Sequence, residues 1–242
     1  MNKTALISGG TSGIGRATAK QLLQDGFNVV VFSRDRSKVK KLQLELAEHF
    51  LYDRFLVLTG DIVREPSIKI VIAKTLKTFG KINVLFNNAG YGYFTEADKV
   101  DIKKFQAMLA TNLIGQAILT KHVVPLMKKQ KSGSIINLVS ISGKRALNNG
   151  EFYSATKFGL MGYSEGIRDE LKSFGIKVST VCPGMVKTNF FEEEELNTRI
   201  KQLKMGKRPK LLDAEDVARV VGLIANQSAK SDIQDIVIMP AA

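Results

Sequence analysis

Three features of the 242-residue chain predict an α/β fold, a doubly wound parallel sheet with helices on both faces. Short β-branched runs alternate with longer helical patterns almost to the end. The apolar runs, such as Val29-Val30-Val31-Phe32, are continuous rather than alternating, as befits strands covered on both sides. A glycine-rich turn, Gly9 to Gly15, joins the first strand pattern to the first helical one.

In order, the strands read as Thr4 to Ser8, Asn28 to Phe32, Phe55 to Thr59, Ile82 to Phe86, Ser134 to Val139, Ile176 to Val181 and Asp235 to Met239. Helical spacing, with apolar residues three and four apart, predicts Ile14 to Gln24, Ser37 to Phe50, Pro66 to Phe79, Asp101 to Lys129, Glu151 to Phe174 and Asp213 to Asn226. Right-handed crossovers leave few arrangements, and the order 3-2-1-4-5-6-7 is expected for the seven-stranded sheet. Ligands of such sheets bind beyond the carboxyl ends of the strands, near the reversal between strands 1 and 4. One stretch breaks the alternation. From Met185 to Lys210, Phe190, Leu196, Ile200 and Leu203 trace a helical stripe beside the acidic run Glu192 to Glu195, which reads as an inserted cover rather than a second domain.

Composition is close to the globular average, at 44% hydrophobic and 24% charged residues. Cys182, the single cysteine, lies in an apolar run and reads as a small buried thiol. Met1-Asn2-Lys3 leads directly into Ala5-Leu6-Ile7, too short an apolar stretch for a signal peptide, and no apolar run reaches the roughly 18 residues of a membrane span. A cytoplasmic protein without a membrane partner is expected. Thirty-six Lys and Arg against twenty-three Asp and Glu give +13. The charge is spread over separate clusters (Lys38 to Lys41, Lys128 to Lys131, Lys201 to Lys210) without interleaved aromatics, so a solvated basic surface is expected and no nucleic acid. His49 and His122 occupy helical stretches without evident partners, and no metal site is expected.

The glycine turn has the spacing G-x-x-x-G-x-G. Between a strand and a helix it turns backbone N–H groups and the helix N-terminus toward a pyrophosphate. The second strand ends at Phe32-Ser33-Arg34, where an acid would accept hydrogen bonds from an adenosine ribose. No acid stands at Ser33, and Arg34 offers a planar fork to a 2′-phosphate, with Arg36 nearby, so NADP(H) is expected in preference to NAD(H). The competing reading has Asp35 on the ribose and Arg34 as a surface charge.

Tyr153 and Lys157 stand four residues apart, and Ser140 lies thirteen residues before Tyr153 at the end of an apolar run. A phenol, an ammonium one helical turn away and a hydroxyl on a strand end can move a proton to or from a carbonyl oxygen. Taken singly, each has a plain structural explanation: an amphipathic i, i+4 pair, a loop-capping serine and, for Asn112, a hydrogen-bonded helix residue. The chemistry also needs hydride, which only a bound nicotinamide supplies.

The loop Gly9 to Gly15, Asn87-Asn88-Ala89-Gly90, Asn112, Ser140, Tyr153-x-x-x-Lys157 and Pro183-Gly184 resemble the short-chain dehydrogenase/reductase (SDR) family in its compact form, over nearly the whole chain. The resemblance implies a single Rossmann-type oxidoreductase domain. It implies that Tyr153 is the catalytic acid/base, that Ser140 binds the substrate oxygen, that Lys157 holds the nicotinamide ribose and that Asn112 helps order a relay water. Cofactor contacts would come from Gly9, Thr11, Ser12, Gly13, Ile14, Gly15, Ser33, Arg34, Asp61, Ile62, Asn88, Ala89, Gly90, Tyr153, Lys157, Pro183, Gly184, Val186 and Thr188. Ser8 stands where a threonine commonly opens the glycine motif. The resemblance also implies a homodimer or homotetramer through the helices holding Asn112 and Tyr153, where Ala155, Gly159 and Gly162 would permit close approach.

A free tyrosine, with pKa about 10, is only roughly 0.1% phenolate at pH 7, so alcohol oxidation needs a nearby cation to lower it. The substrate would be a small-molecule carbonyl or alcohol with an apolar portion. It would be walled by Ser140, by Ser142 and Leu147 in the Ser142 to Asn148 loop, by Tyr91, Tyr93 and Phe94, and by Met185 and Phe190 under the cover. The ending Asp235 to Ala242 resembles members acting on small 3-hydroxy acids. A 3-oxoacyl-[acyl-carrier-protein] reductase, its carrier drawn by the basic surface, is the alternative, and a non-catalytic NADP-binding sensor is the alternative of another class.

Overall fold

The computed structural model describes residues 2–190 and 210–241. Strands β1 (Thr4–Ser8), β2 (Asn28–Ser33), β3 (Phe55–Thr59), β4 (Val84–Asn87), β5 (Gly133–Leu138), β6 (Ile176–Pro183) and β7 (Asp235–Ile238) form one sheet. Their order is β3-β2-β1-β4-β5-β6-β7 and every neighbouring pair is parallel, as expected. The helices are α1 (Gly13–Gln24), α2 (Arg36–Ala47), α3 (Glu65–Phe79), α4 (Ile102–Leu109), α5 (Gly115–Gln130), α6 (Glu151–Lys172) and α7 (Ala214–Ala225).

The continuous apolar strands serve two cores at once, because successive side chains point to opposite faces. Ile7, Val29, Val31 and Phe86 pack with Leu22 of α1, Leu42 and Leu46 of α2 and Val221 of α7. Their neighbours Leu6, Val30, Phe32 and Leu85 pack on the other face with Ile68 and Val71 of α3, Leu119 and Val123 of α5 and Leu171 of α6. The buried aliphatic surface on both sides holds the sheet rigid, and its strand ends form a fixed platform for the loops above.

Three sequence expectations need correction. The span Asp101 to Lys129 is not one regular helix: Ala110–Ile114 between α4 and α5 widens into a π-turn. Its cause is Asn112, whose side chain is drawn sideways into bonds with Tyr91 and Thr156. His122 is not without a partner, since its Nε2 lies 2.6 Å from Glu65 Oε1 across α3 and α5. The fourth strand begins later, at Val84.

Among the described residues, no helix is long and apolar enough to cross a membrane. The expected stripe of Leu196, Ile200 and Leu203 and the acidic run Glu192 to Glu195 lie outside the described residues, as does most of the cluster Lys201 to Lys210. Residues before and after that stretch are tied together: Leu212 N donates to Met185 O at 3.0 Å and Lys187 N to Leu212 O at 2.8 Å.

Candidate active site

The glycine turn sits on the carboxyl end of β1, and the first need there is close approach. Gly9 has φ +65°, and a Cβ on it would come 2.7 Å from the Cα of Ala89. An alanine would be both strained and in collision with the turn after β4. The two turns are stitched together by side chains. The Ser8 hydroxyl accepts from Asn88 N and Ala89 N, both at 3.1 Å, while Asn88 Nδ2 donates to the carbonyls of Ser8 at 2.9 Å and Gly9 at 3.0 Å.

Helix α1 then starts at Gly13 with φ +51°. No acid lies in its first turn, and its N-cap Ser12 makes no capping hydrogen bond with its side chain. The free N–H groups and the positive end of the helix dipole therefore face the loop uncompensated, which suits a phosphate.

The proton-handling groups stand on β5 and α6. Ser140 follows β5 with φ 139° and ψ 160°, a conformation that residues with a side chain rarely adopt. Its hydroxyl accepts from Ser142 N at 3.1 Å, which fixes the turn Ile141–Gly143 beneath it. Helix α6 begins at Glu151, so Tyr153 and Lys157 lie in its first two turns, facing β5. Both are nearly inaccessible, at 7% and 3%.

Burial pushes the Tyr153 phenol up to about 12, opposed by its hydrogen bond with Ser140. Burial likewise lowers Lys157 to about 8. The ammonium donates to Leu138 O at 2.8 Å and lies 5.8 Å from the centre of the Tyr153 ring. A neutral phenol at neutral pH is thus held beside a hydroxyl and a cation, an arrangement that can donate a proton to a carbonyl oxygen and receive one from an alcohol.

All of this lines one cavity of about 520 Å³. At one end are Gly9, Thr11, Ser12, Gly13, Ile14, Ser33, Arg34, Asp61 and Ile62; along the middle Asn88, Ala89, Gly90 and Tyr91; at the other end Ser140, Ser142, Leu147, Tyr153 and Lys157. Pro183, Gly184, Met185, Val186, Thr188 and Phe190 border it from β6 onward. The rings of Phe94 and Phe190 lie 5.4 Å and 5.7 Å from that of Tyr153, so the wall beside the phenol is aromatic. The volume is in the range of ligand sites, and the elongated lining matches a dinucleotide with a small substrate beyond it.

The sequence pattern of the short chain dehydrogenase family matches residues 3–199 of this chain. The chain belongs to that family. It is 31% identical over 241 residues to serine 3-dehydrogenase of Agrobacterium fabrum, covering 99% of this chain and 94% of that protein. The closed form of serine dehydrogenase complexed with NADP⁺ superposes with a TM-score of 0.87 at 26% identity, covering 98% and 94% of the two chains. An actinorhodin polyketide ketoreductase variant with NADPH superposes at 0.88, with 26% identity and coverage of 99% and 96%. The protein is accordingly a short-chain dehydrogenase/reductase, an oxidoreductase of alcohol and carbonyl groups with a nicotinamide cofactor.

Three residues expected at the site of this family member do not line the cavity. Tyr93 faces away: its hydroxyl accepts from Asp101 N at 3.0 Å, at the start of α4, and Lys104 lies over its ring. The free N–H of a helix N-terminus outcompetes the apolar chamber for a phenol. Gly15 lies beneath the loop, where a Cβ would meet Asn88 Nδ2 at 2.5 Å. Asn112 is fully buried, and its side chain is committed to Tyr91 N and O at 3.0 Å and 2.9 Å and to Thr156 Oγ1 at 3.1 Å.

Other lining residues escaped the sequence reading. Lys38, Thr111, Arg145 and Asn189 carry polar groups to the wall, and Met239 and Pro240 close it from the end of β7. Gln116, fully buried, donates to Ala89 O at 2.7 Å and steadies the turn after β4. Arg145 and Asn189 lie within stretches expected at the pocket, the Ser142 to Asn148 loop and the cover from Met185, and their polar side chains were the signal available.

Proposed function

We propose that the protein interconverts a carbonyl and a secondary alcohol with NADP(H), within a single domain, and that Tyr153 is its general acid in reduction and, as phenolate, its general base in oxidation. The observation that carries this reading is the buried Tyr153 phenol, whose ionisation the Ser140 hydroxyl favours, in a cavity that also takes in the glycine turn and Arg34.

The residues fit the cofactor. The uncompensated start of α1 would receive the pyrophosphate, Arg34 a 2′-phosphate, and Lys157 the nicotinamide ribose. When bound, the nicotinamide supplies or accepts the hydride that no side chain can. Ser140 orients the reacting oxygen, Tyr153 gives or takes the proton, and the Lys157 cation favours the phenolate that oxidation requires. Phe94 and Phe190 exclude water from the phenol.

Preference for NADP(H) is supported by the role of Asp35. One oxygen of its carboxylate caps α2 by accepting from Lys38 N at 3.0 Å, while Arg34 beside it lines the cavity. The NADP⁺ complex of serine dehydrogenase agrees with that choice. Similarity to serine 3-dehydrogenase, whose named substrate is a 3-hydroxy acid, supports small 3-hydroxy acids and related carbonyls as substrates. On α6, Gly162 has open space around it, leaving room for a second copy in the homo-oligomer we propose.

The test is NADPH and NADH oxidation against a carbonyl panel with wild type and Tyr153→Phe. Wild type is expected to turn over at least one member, with the variant slower by about 10²- to 10⁴-fold, the usual worth of a general acid. Tight NADPH binding without turnover of any member would replace the enzyme by a sensor.

A further inference from the structure

The turn after Ser140 carries two adjacent cations, Lys144 and Arg145, and the fold sends them in different directions. Lys144 lies near Asp235 at the start of β7, where it helps hold that carboxyl below the usual carboxylate range. Arg145 lines the substrate end of the cavity with Leu147, Phe94 and Phe190. Among the described residues no carboxylate pairs with it, as is also the case for Arg34, whereas Arg16, Arg168 and Arg219 hold acids.

The distribution of charge along the cavity sharpens the point. Its acidic lining residues, Asp35 and Asp61, follow β2 and β3, at the end where Arg34 and Lys38 also stand. At the catalytic end the described lining has two cations, Lys157 and Arg145, and no acid. Lys157 already donates to Leu138 O and is nearly inaccessible. Arg145 is exposed where it lines the cavity, and among the described residues its guanidinium pairs with no acid, which leaves its planar fork available to a carboxylate.

Its backbone is also well placed. Arg145 N donates to Ile141 O at 3.1 Å, within the turn that presents Ser140, and Leu147 N donates to Ser154 Oγ at 3.3 Å on α6. The main chain of Arg145 is thus tied to Ile141, next to the residue that would bind the reacting oxygen, and lies two residues before a bond to the helix that carries Tyr153.

We infer that Arg145 is the substrate-specificity residue of this site and that the substrate carries a carboxylate, bound by the Arg145 guanidinium while Ser140 and Tyr153 hold the carbonyl or hydroxyl oxygen. This rests on the reading of the site as an NADP(H)-dependent carbonyl reductase and deepens it. The apolar wall between the two anchors accepts the short carbon chain that joins them, and the neutral ester of the same acid lacks the group that Arg145 receives.

The test uses 2-, 3- and 4-oxo acids of four to six carbons, each beside its methyl ester, with NADPH and with wild type, Arg145→Leu and Arg145→Lys. Wild type is expected to favour an acid over its ester in kcat/KM. Arg145→Leu should cut that acid-to-ester ratio by about tenfold or more, as the loss of a charge-assisted hydrogen bond does. Arg145→Lys, which keeps the charge without the fork, should fall between the two. Thermal unfolding of each variant separates this from a folding defect. Turnover of esters or neutral ketones in preference to every acid, or a ratio unchanged in Arg145→Leu, overturns the assignment and leaves the reductase reading intact. Absence of turnover with any compound overturns the reading beneath it.

Discussion

The ammonium of Lys157 donates a 2.8 Å hydrogen bond to the main-chain oxygen of Leu138, which pins helix α6 to the last residue of β5. Two residues further on stands Ser140, and one turn back along the helix stands Tyr153. A single buried contact therefore sets the separation of the groups proposed to handle the proton. It also keeps a charge out of water, and that cost can be measured.

Burial lowers Lys157 from 10.5 to about 8. Between those values the unfolded chain binds the proton and the folded one has lost it, so the contribution of this residue to stability rises with pH across the window. Below about pH 8 the folded state carries the full desolvation cost. The expected result is that the unfolding free energy of wild type, relative to Lys157→Met, increases by about 3 kcal/mol from pH 7 to pH 10.5. Urea denaturation of both proteins across that range is the measurement, and a flat difference would show that Lys157 is solvated.

Ser140 adopts φ 139° and ψ 160°, a region that is essentially reserved for glycine and costs about 1–3 kcal/mol otherwise. Ser140→Gly should relieve that strain and Ser140→Ala should not. After allowance for the extra unfolded-state entropy of glycine, Ser140→Gly is expected to be more stable than Ser140→Ala by about 1 kcal/mol, read from chemical denaturation. Both should lose carbonyl reduction, because both lack the hydroxyl. Equal stabilities would remove the case for stored strain.

Arg34 lines the cavity just beyond β2, and Asp35 beside it is occupied in capping α2. Replacing Arg34 by Gln removes the charged fork without touching the cap. The NADPH-to-NADH ratio of kcat/KM should drop by about 10- to 100-fold, the worth of one or two charge-assisted hydrogen bonds to a phosphate. Parallel initial rates with the two cofactors decide it; an unchanged ratio would return the ribose to Asp35.

Much of this fold was legible because its signals are local or periodic. Continuous runs such as Val29 to Phe32 announce strands covered on both faces, and the glycine turn announces a close crossing whose partner proved to be Ala89. The break at Asn112 was not legible. A π-turn leaves no mark when its cause is a set of bonds to Tyr91 and Thr156, one 21 and the other 44 residues away. Tyr93 misled for a similar reason: its neighbours in sequence suggested the chamber, but the start of α4 offered its hydroxyl a donor.

By itself the sequence determined the layers, the strand order and the type of chemistry. Those follow from hydrophobic period, from crossover handedness and from residue types whose protons and glycines have few other uses at that spacing. Tertiary structure decided what depends on direction. It buried Tyr153 and Lys157 enough to move their pKa values in opposite senses, turned Tyr93 outward, and set Arg145 in the cavity while its neighbour Lys144 faces the sheet edge. Side-chain direction and desolvation arise from contacts between distant segments, and no local pattern encodes them.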